Sequence, residues 1–178
     1  MVVETSINQK TKFTRMCISE AIVSLLDTTE FRKLKISDIV KRAGVARASF
    51  YKYYDSPYNA LTDYLQIIIT EYVEESRAKQ VRSTYLDRDH ILYSLKFFDK
   101  YARYFMTLAN QKLHAILLDG INRFMMEHIT PTKKLSVYEM YSYAGGLLNT
   151  FLKWEEEGKK DSPEEIADTL YRLYSADT

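Results

Sequence analysis

Apolar residues recur at steps of three and four along nearly the whole of this chain, and that period commits it to helices. Residues that break helices are scarce: 178 residues hold five glycines and three prolines, and no strand-type alternation runs for a useful length. With 46% apolar and 28% charged residues, the chain has the composition of an ordered globule and the length to bury a core. Its longest apolar runs, such as residues 67–69 and 115–118, fall far short of a bilayer span, and no secretory signal opens it, so no membrane association is expected. Cys17, the single cysteine, cannot close an intramolecular disulfide, and the expected location is cytoplasmic.

Between residues 11 and 29, Phe13, Cys17, Ala21 and Leu25, flanked by Met16, Ile22 and Leu26, mark the apolar face of a first helix. Cys17 on that face reads as a small buried hydrophobe. Ser37 is placed to cap a short helix over 38–43, with Asp38 near its positive end, and Gly44 to end it in the left-handed conformation. Val45 then plugs the corner before a second short helix, 47–54, that turns Phe50 and Tyr54 inward. Ala48, Ser49, Tyr51 and Lys52 are left facing outward. Ser56-Pro57 reads as the cap and first residue of a long helix to about Gln80. Further helical periods cover roughly 90–108, 111–129, 135–157 and 163–174. Pro131 and Gly158 are breaks between them, and Ser162-Pro163-Glu164-Glu165 is a capping signal for the last.

Charge is unevenly spread. Residues 1–54 carry ten Lys and Arg against five Asp and Glu, a balance of +5, while residues 55–178 carry fifteen against nineteen, or −4. A basic head on an acidic body suits polyanion binding, although a chance distribution of surface charge looks the same. Two short helices meeting at a glycine corner form a helix-turn-helix, whose second helix enters the major groove; plain helix packing gives the same outline. The side chains suit the groove. Arg47 can fork onto a guanine edge, Ser49 can serve a base or a phosphate, and Ala48 is small enough to meet a thymine methyl. Tyr51, Lys52 and Tyr53 offer two hydroxyls and an ammonium to phosphates, and Ser37 a further phosphate seat at a helix start.

Taken whole, Ile36-Ser-Asp-Ile-Val-Lys-Arg-Ala-Gly-Val-Ala-Arg-Ala-Ser-Phe-Tyr-Lys-Tyr-Tyr54, followed by Asp-Ser-Pro-Tyr-Asn-Ala-Leu61, resembles the DNA-binding domain of TetR-family regulators over about residues 10 to 66. The resemblance implies an all-α fold of about nine helices: a three-helix DNA-binding domain over 8–68 and a helical ligand-binding and dimerisation domain over 69–178. It implies DNA contacts from Ser37, Ala46, Arg47, Ala48, Ser49, Tyr51, Lys52 and Tyr53, with Ile39, Ala43, Val45, Phe50 and Tyr54 holding the helices together. Two positions depart from the family pattern. Ala46 stands where a capping serine or threonine is usual, and Pro57 where a lysine is common, so two backbone contacts are expected to be lost.

Farther on, Tyr143-Ala-Gly-Gly-Leu-Leu, Leu152-Lys-Trp-Glu and Ser162-Pro-Glu-Glu-Ile-Ala resemble a TetR subgroup that includes regulators of dihydroxyacetone kinase operons. Tyr138, Tyr141, Gly145, Leu148 and Leu152 form a seam, beside a second stripe of Val137, Met140, Ala144, Leu147 and Phe151. With Ile166, Leu170 and Leu173, the seam suits pairing of residues about 135–174 across a two-fold axis, spacing two recognition helices roughly 34–36 Å apart on a palindromic operator. Gly145 and Gly146 would allow close approach. Phe97, Phe98, Tyr101, Tyr104, Phe105, Phe124, Met125 and Met126, with His114 among them, would suit a small apolar or aromatic effector, and equally a plain core. No cofactor or metal is implied. His90, His114 and His128 form no ligand pair, and no phosphate-binding glycine loop or nucleophile elbow is present, so an enzyme is not expected. The reading is a homodimeric repressor released by a small molecule; the alternative is a co-regulator or adaptor governed by a protein partner.

Overall fold

The computed structural model describes residues 2–79, 86–128 and 136–175, with side chains from Gln9 onward. Among them are nine α-helices and no strand: α1 (Val2–Leu25), α2 (Ile36–Ala43), α3 (Arg47–Tyr53), α4 (Pro57–Ala78), α5 (Arg88–Asp99), α6 (Ala102–Asn110), α7 (His114–His128), α8 (Val137–Glu156) and α9 (Pro163–Ser175). The expected points Gln80, Pro131 and Leu135 lie outside the described residues. None of the described helices is long and apolar enough to cross a membrane. The chain divides into two compact units, Met1–Ile68 and Ile69–Thr178, with α4 beginning in the first and ending in the second.

In the first unit, α1 buries Ile18, Ala21, Ile22 and Val23, and Leu26 is buried just beyond its end. Phe13, expected on that face, is instead 69% exposed, so the apolar period of the helix outlasts its burial. Cys17 is half-buried, and burial pushes its thiol up, which favours the protonated form. Ser19 donates to the carbonyl of Ala60 at 3.0 Å and Tyr64 to Glu20 at 3.2 Å, joining α1 to α4. As read from the sequence, α4 is capped by Ser56, which accepts from the amide of Asn59 at 3.2 Å.

In the second unit, the period expected over 90–108 is broken. After α5 the amides of Lys100 and Tyr101 close tight turns on Phe97 and Phe98, and α6 sets off in a new direction. The turn divides an aromatic run too wide for one stripe. Phe97 and Phe98 stay against Tyr72, and Phe105 meets Phe151 of α8 at 5.3 Å. Helices α6 and α7 pack on α8, while α9 lies along α5, where Lys96 reaches Glu164 at 2.6 Å and Arg88 pairs with Asp168. Ser136 with Glu139 and Ser162 with Glu165 form capping boxes at the starts of α8 and α9.

Of the two α8 glycines, Gly146 is taken up internally. The Tyr174 hydroxyl fills the space a Cβ would need there and donates to the Ser142 carbonyl at 3.3 Å. Gly145 faces open space.

Candidate nucleic-acid interface

Helix α2 starts at Ile36, with Lys35 extended before it as the cap residue and no side-chain cap bond. Ser37 is therefore not the cap but a first-turn residue. It is exposed, and its hydroxyl reaches the Asp38 carboxylate at 3.4 Å, so an acidic group stands beside the expected phosphate seat. Gly44 ends the helix at φ 66° and ψ 30°, a conformation a side chain would strain, and the Val45 amide closes on the Val40 carbonyl at 3.1 Å. Ala46 precedes α3 with an extended backbone and no side-chain cap, as its methyl dictates.

The inward face of α3 is held from three sides. Phe50 is fully buried with Ile39, and its ring meets that of Tyr54 at 5.9 Å. Tyr54 is 5% exposed, and its hydroxyl donates to Asp63 Oδ2 at 2.6 Å. Arg15 of α1 donates its Nε to the same oxygen at 2.9 Å and Nη2 to Oδ1. Burial, then the Asp63 carboxylate, pushes the Tyr54 phenol well up, so it remains a neutral donor. The bond to Asp63 likewise holds the Arg15 guanidinium up and charged. One carboxylate on α4 thus fastens α1 and the end of α3 together.

Outward, Ala46, Arg47, Ala48, Tyr51 and Lys52 are exposed, and Ser49 and Tyr53 half-buried. Arg47 lies over the Tyr51 ring, its guanidinium carbon 5.6 Å from the centroid and Nη2 3.3 Å from the hydroxyl. Lys52 lies over Tyr53 at 5.4 Å. Among the described residues no carboxylate pairs with Arg47 or Lys52, so both charges are available to an anion. The structure brings seven of the eight named residues, Ala46 to Ser49 and Tyr51 to Tyr53, onto one short helix and its entry, with Ser37 on α2. Arg15 and Asp63 were not foreseen. Their one sequence signal is a buried tyrosine that requires an acceptor for its hydroxyl.

Residues 18–56 match the family model described as bacterial regulatory proteins, tetR family. The segment that carries α2 and α3 is thus similar to the TetR family. A TetR-family chain is a DNA-binding regulatory protein, not an enzyme. No curated protein matches the sequence. Among solved structures, a putative TetR-family transcriptional regulator from Syntrophomonas wolfei superposes with a TM-score of 0.65 at 16% identity, covering 93% of this chain and 94% of its own. FadR from Thermus thermophilus, a TetR-family transcriptional repressor in complex with lauroyl-CoA, gives 0.57 at 19% identity, over 90% and 93%. The dihydroxyacetone kinase operon activator DhaS gives 0.58 at 15%, over 92% and 94%. At these identities the likeness is one of fold, and it extends through the helical second unit.

That unit holds a partly open cavity of about 50 Å³. Phe98, Phe105, Phe124 and Met125 line it, as do Tyr72 and Ser94, while Phe97 and Tyr104 are buried outside its wall. Tyr101 turns away to donate to Glu71 at 2.7 Å. His114 and Met126 are on the surface, because their positions on α7 face away from the core. His90, which had no assigned role, is 4% exposed with Nε2 2.5 Å from the Tyr72 hydroxyl.

Proposed function

We propose that the protein is a cytoplasmic homodimeric repressor that reads a palindromic operator with Ser37, Ala46, Arg47, Ala48, Ser49, Tyr51, Lys52 and Tyr53, and leaves it when a small apolar or aromatic effector enters the second unit. The observation that carries the reading is the outward face of α3: an arginine and a lysine that meet no carboxylate among the described residues, on a helix whose inner face is anchored by Phe50 and by Tyr54 on Asp63. Such a face contributes phosphate attraction through Lys52 and base discrimination through Arg47. Domain roles follow the same division, with residues 8–68 gripping DNA and 69–178 pairing and sensing.

Support for pairing comes from α8 and α9. Tyr138 is 87% exposed and Leu173 66%, with Val137, Tyr141 and Tyr171 also on the surface and Gly145 open beside them. Exposed aromatic and aliphatic groups gathered on two helices are what a partner covers. Support for an effector comes from the apolar cavity and from the lauroyl-CoA described with the Thermus thermophilus neighbour. Selection of bound sites from random and genomic DNA tests the reading: enrichment of an inverted repeat is expected, and recovery of no preferred sequence overturns it. Sedimentation at micromolar concentration should show a dimer, and a monomer would remove the proposed interface.

A further inference from the structure

Granting that the second unit holds an effector, we propose that the effector's buried part is an uncharged hydrocarbon chain carrying one oxygen, read by the hydroxyls of Tyr72 and Ser94 with His90 behind them. No residue of the cavity wall bears a charge. A carboxylate or ammonium entering it would lose its water and meet no counter-ion, a cost of several kcal/mol. The polar side-chain groups of the wall are three hydroxyls, on Tyr72, Ser94 and Tyr143. Burial pushes the Tyr143 phenol up, so it too is uncharged near neutrality.

Two of the three hydroxyls form a cluster. Tyr72 and Ser94 are 1% and 6% exposed. The Tyr72 hydroxyl lies 2.8 Å from Ser94 Oγ and 2.5 Å from His90 Nε2, and Ser94 donates to the His90 carbonyl at 2.8 Å. An apolar core takes in three polar side chains only where their hydrogen bonds are met. An alcohol or ester oxygen beside Ser94 can join or replace one of these bonds, whereas an aliphatic wall would offer it nothing.

Size selects a chain over a ring. A cavity of about 150 Å³ accommodates benzene, and the space here is about 50 Å³. Either guest requires the wall to open, but Met125, Leu147 and Leu148 give way by rotamer changes that admit a slender chain first.

The test is calorimetric titration of the full chain with 1-decanol, 1-octanol, sodium decanoate and 2-naphthol, alongside fluorescence of the single tryptophan, Trp154, whose ring lies 6.2 Å from that of the wall residue Phe151. Decanol should bind and perturb Trp154, octanol, shorter by two methylenes, should bind about fifteenfold more weakly because each buried methylene contributes about fourfold, and decanoate at least tenfold more weakly than decanol. Ser94→Ala should weaken decanol about fivefold, the worth of one neutral hydrogen bond, in a variant that melts somewhat lower but stays folded, because Tyr72 keeps His90 as its partner. Leu148→Trp should abolish binding by filling the space. Decanoate binding as tightly as decanol, naphthol binding more tightly, alcohols binding without a chain-length trend, or no binding at all would each overturn the proposal, as would an unaltered affinity in Ser94→Ala. The titrations contain no DNA, so operator binding by the same preparation stands or falls separately.

Discussion

Removing the Asp63 carboxylate should loosen the recognition helix without touching its DNA-facing side chains. Asp63 accepts one hydrogen bond from the Tyr54 phenol and two from the Arg15 guanidinium. Deleting a hydrogen bond to a charged group costs about 1.5–3 kcal/mol. Here the Arg15 and Asp63 side chains remain 31% and 23% exposed, so water recovers part of that. Tyr54, at 5% exposure, cannot be rehydrated in place. We therefore expect Asp63→Ala to cost about 2–3 kcal/mol of stability and Tyr54→Phe about 1–2 kcal/mol. The double variant should lose little more than Asp63→Ala alone, because Tyr54 acts through the carboxylate the first change removes. Urea unfolding followed by circular dichroism measures all three. Operator affinity, taken where each variant is fully folded, should fall about tenfold for Asp63→Ala, since a misplaced α3 loses part of its contacts. A cost below about 0.5 kcal/mol for Asp63→Ala, or strictly additive losses, would show that the cluster does not hold α3.

Gly44→Ala should cost about 1–2 kcal/mol in thermal unfolding, since φ 66° is strained for a residue with a Cβ while nothing nearby obstructs the methyl. Gly146→Ala should lower the melting temperature by displacing Tyr174, whereas Gly145→Ala, facing open space, should leave the monomer's stability intact and weaken dimerisation in sedimentation. Tyr138→Glu combined with Tyr141→Glu should give a folded monomer with at least tenfold weaker operator binding, as measured by sedimentation and anisotropy. Ser162→Ala should cost about 1 kcal/mol by removing the cap of α9.

The turn between α2 and α3 was legible because its signals are local: Gly44 at the corner, Phe50 and Tyr54 one helical turn apart, and Ser56-Pro57 opening the next helix. The same locality explains the misplaced Ser37, since propensity favours serine as a cap, but the chain is already helical from Ile36. What joins distant segments was not legible. Arg15 and Asp63 are 48 residues apart, and either alone reads as a surface charge. His90 belongs to no motif and acquires a role only when α4 brings Tyr72 beside it. The break between α5 and α6 escaped notice because the apolar period continues through it while the backbone turns. Phe13 shows the converse, an apolar position with no neighbour to cover it.

The outward face of α3 is tested most directly by titrating a selected operator, and a scrambled duplex of the same length, with the parent, Arg47→Ala and Lys52→Ala over a range of salt concentrations. Arg47→Ala should lose about 1–3 kcal/mol on the operator and little on the scrambled duplex. Lys52→Ala should weaken both alike and reduce the salt slope by about one unit. Parent-like affinity and slope in both variants would contradict the assignment of α3 as the helix that reads DNA.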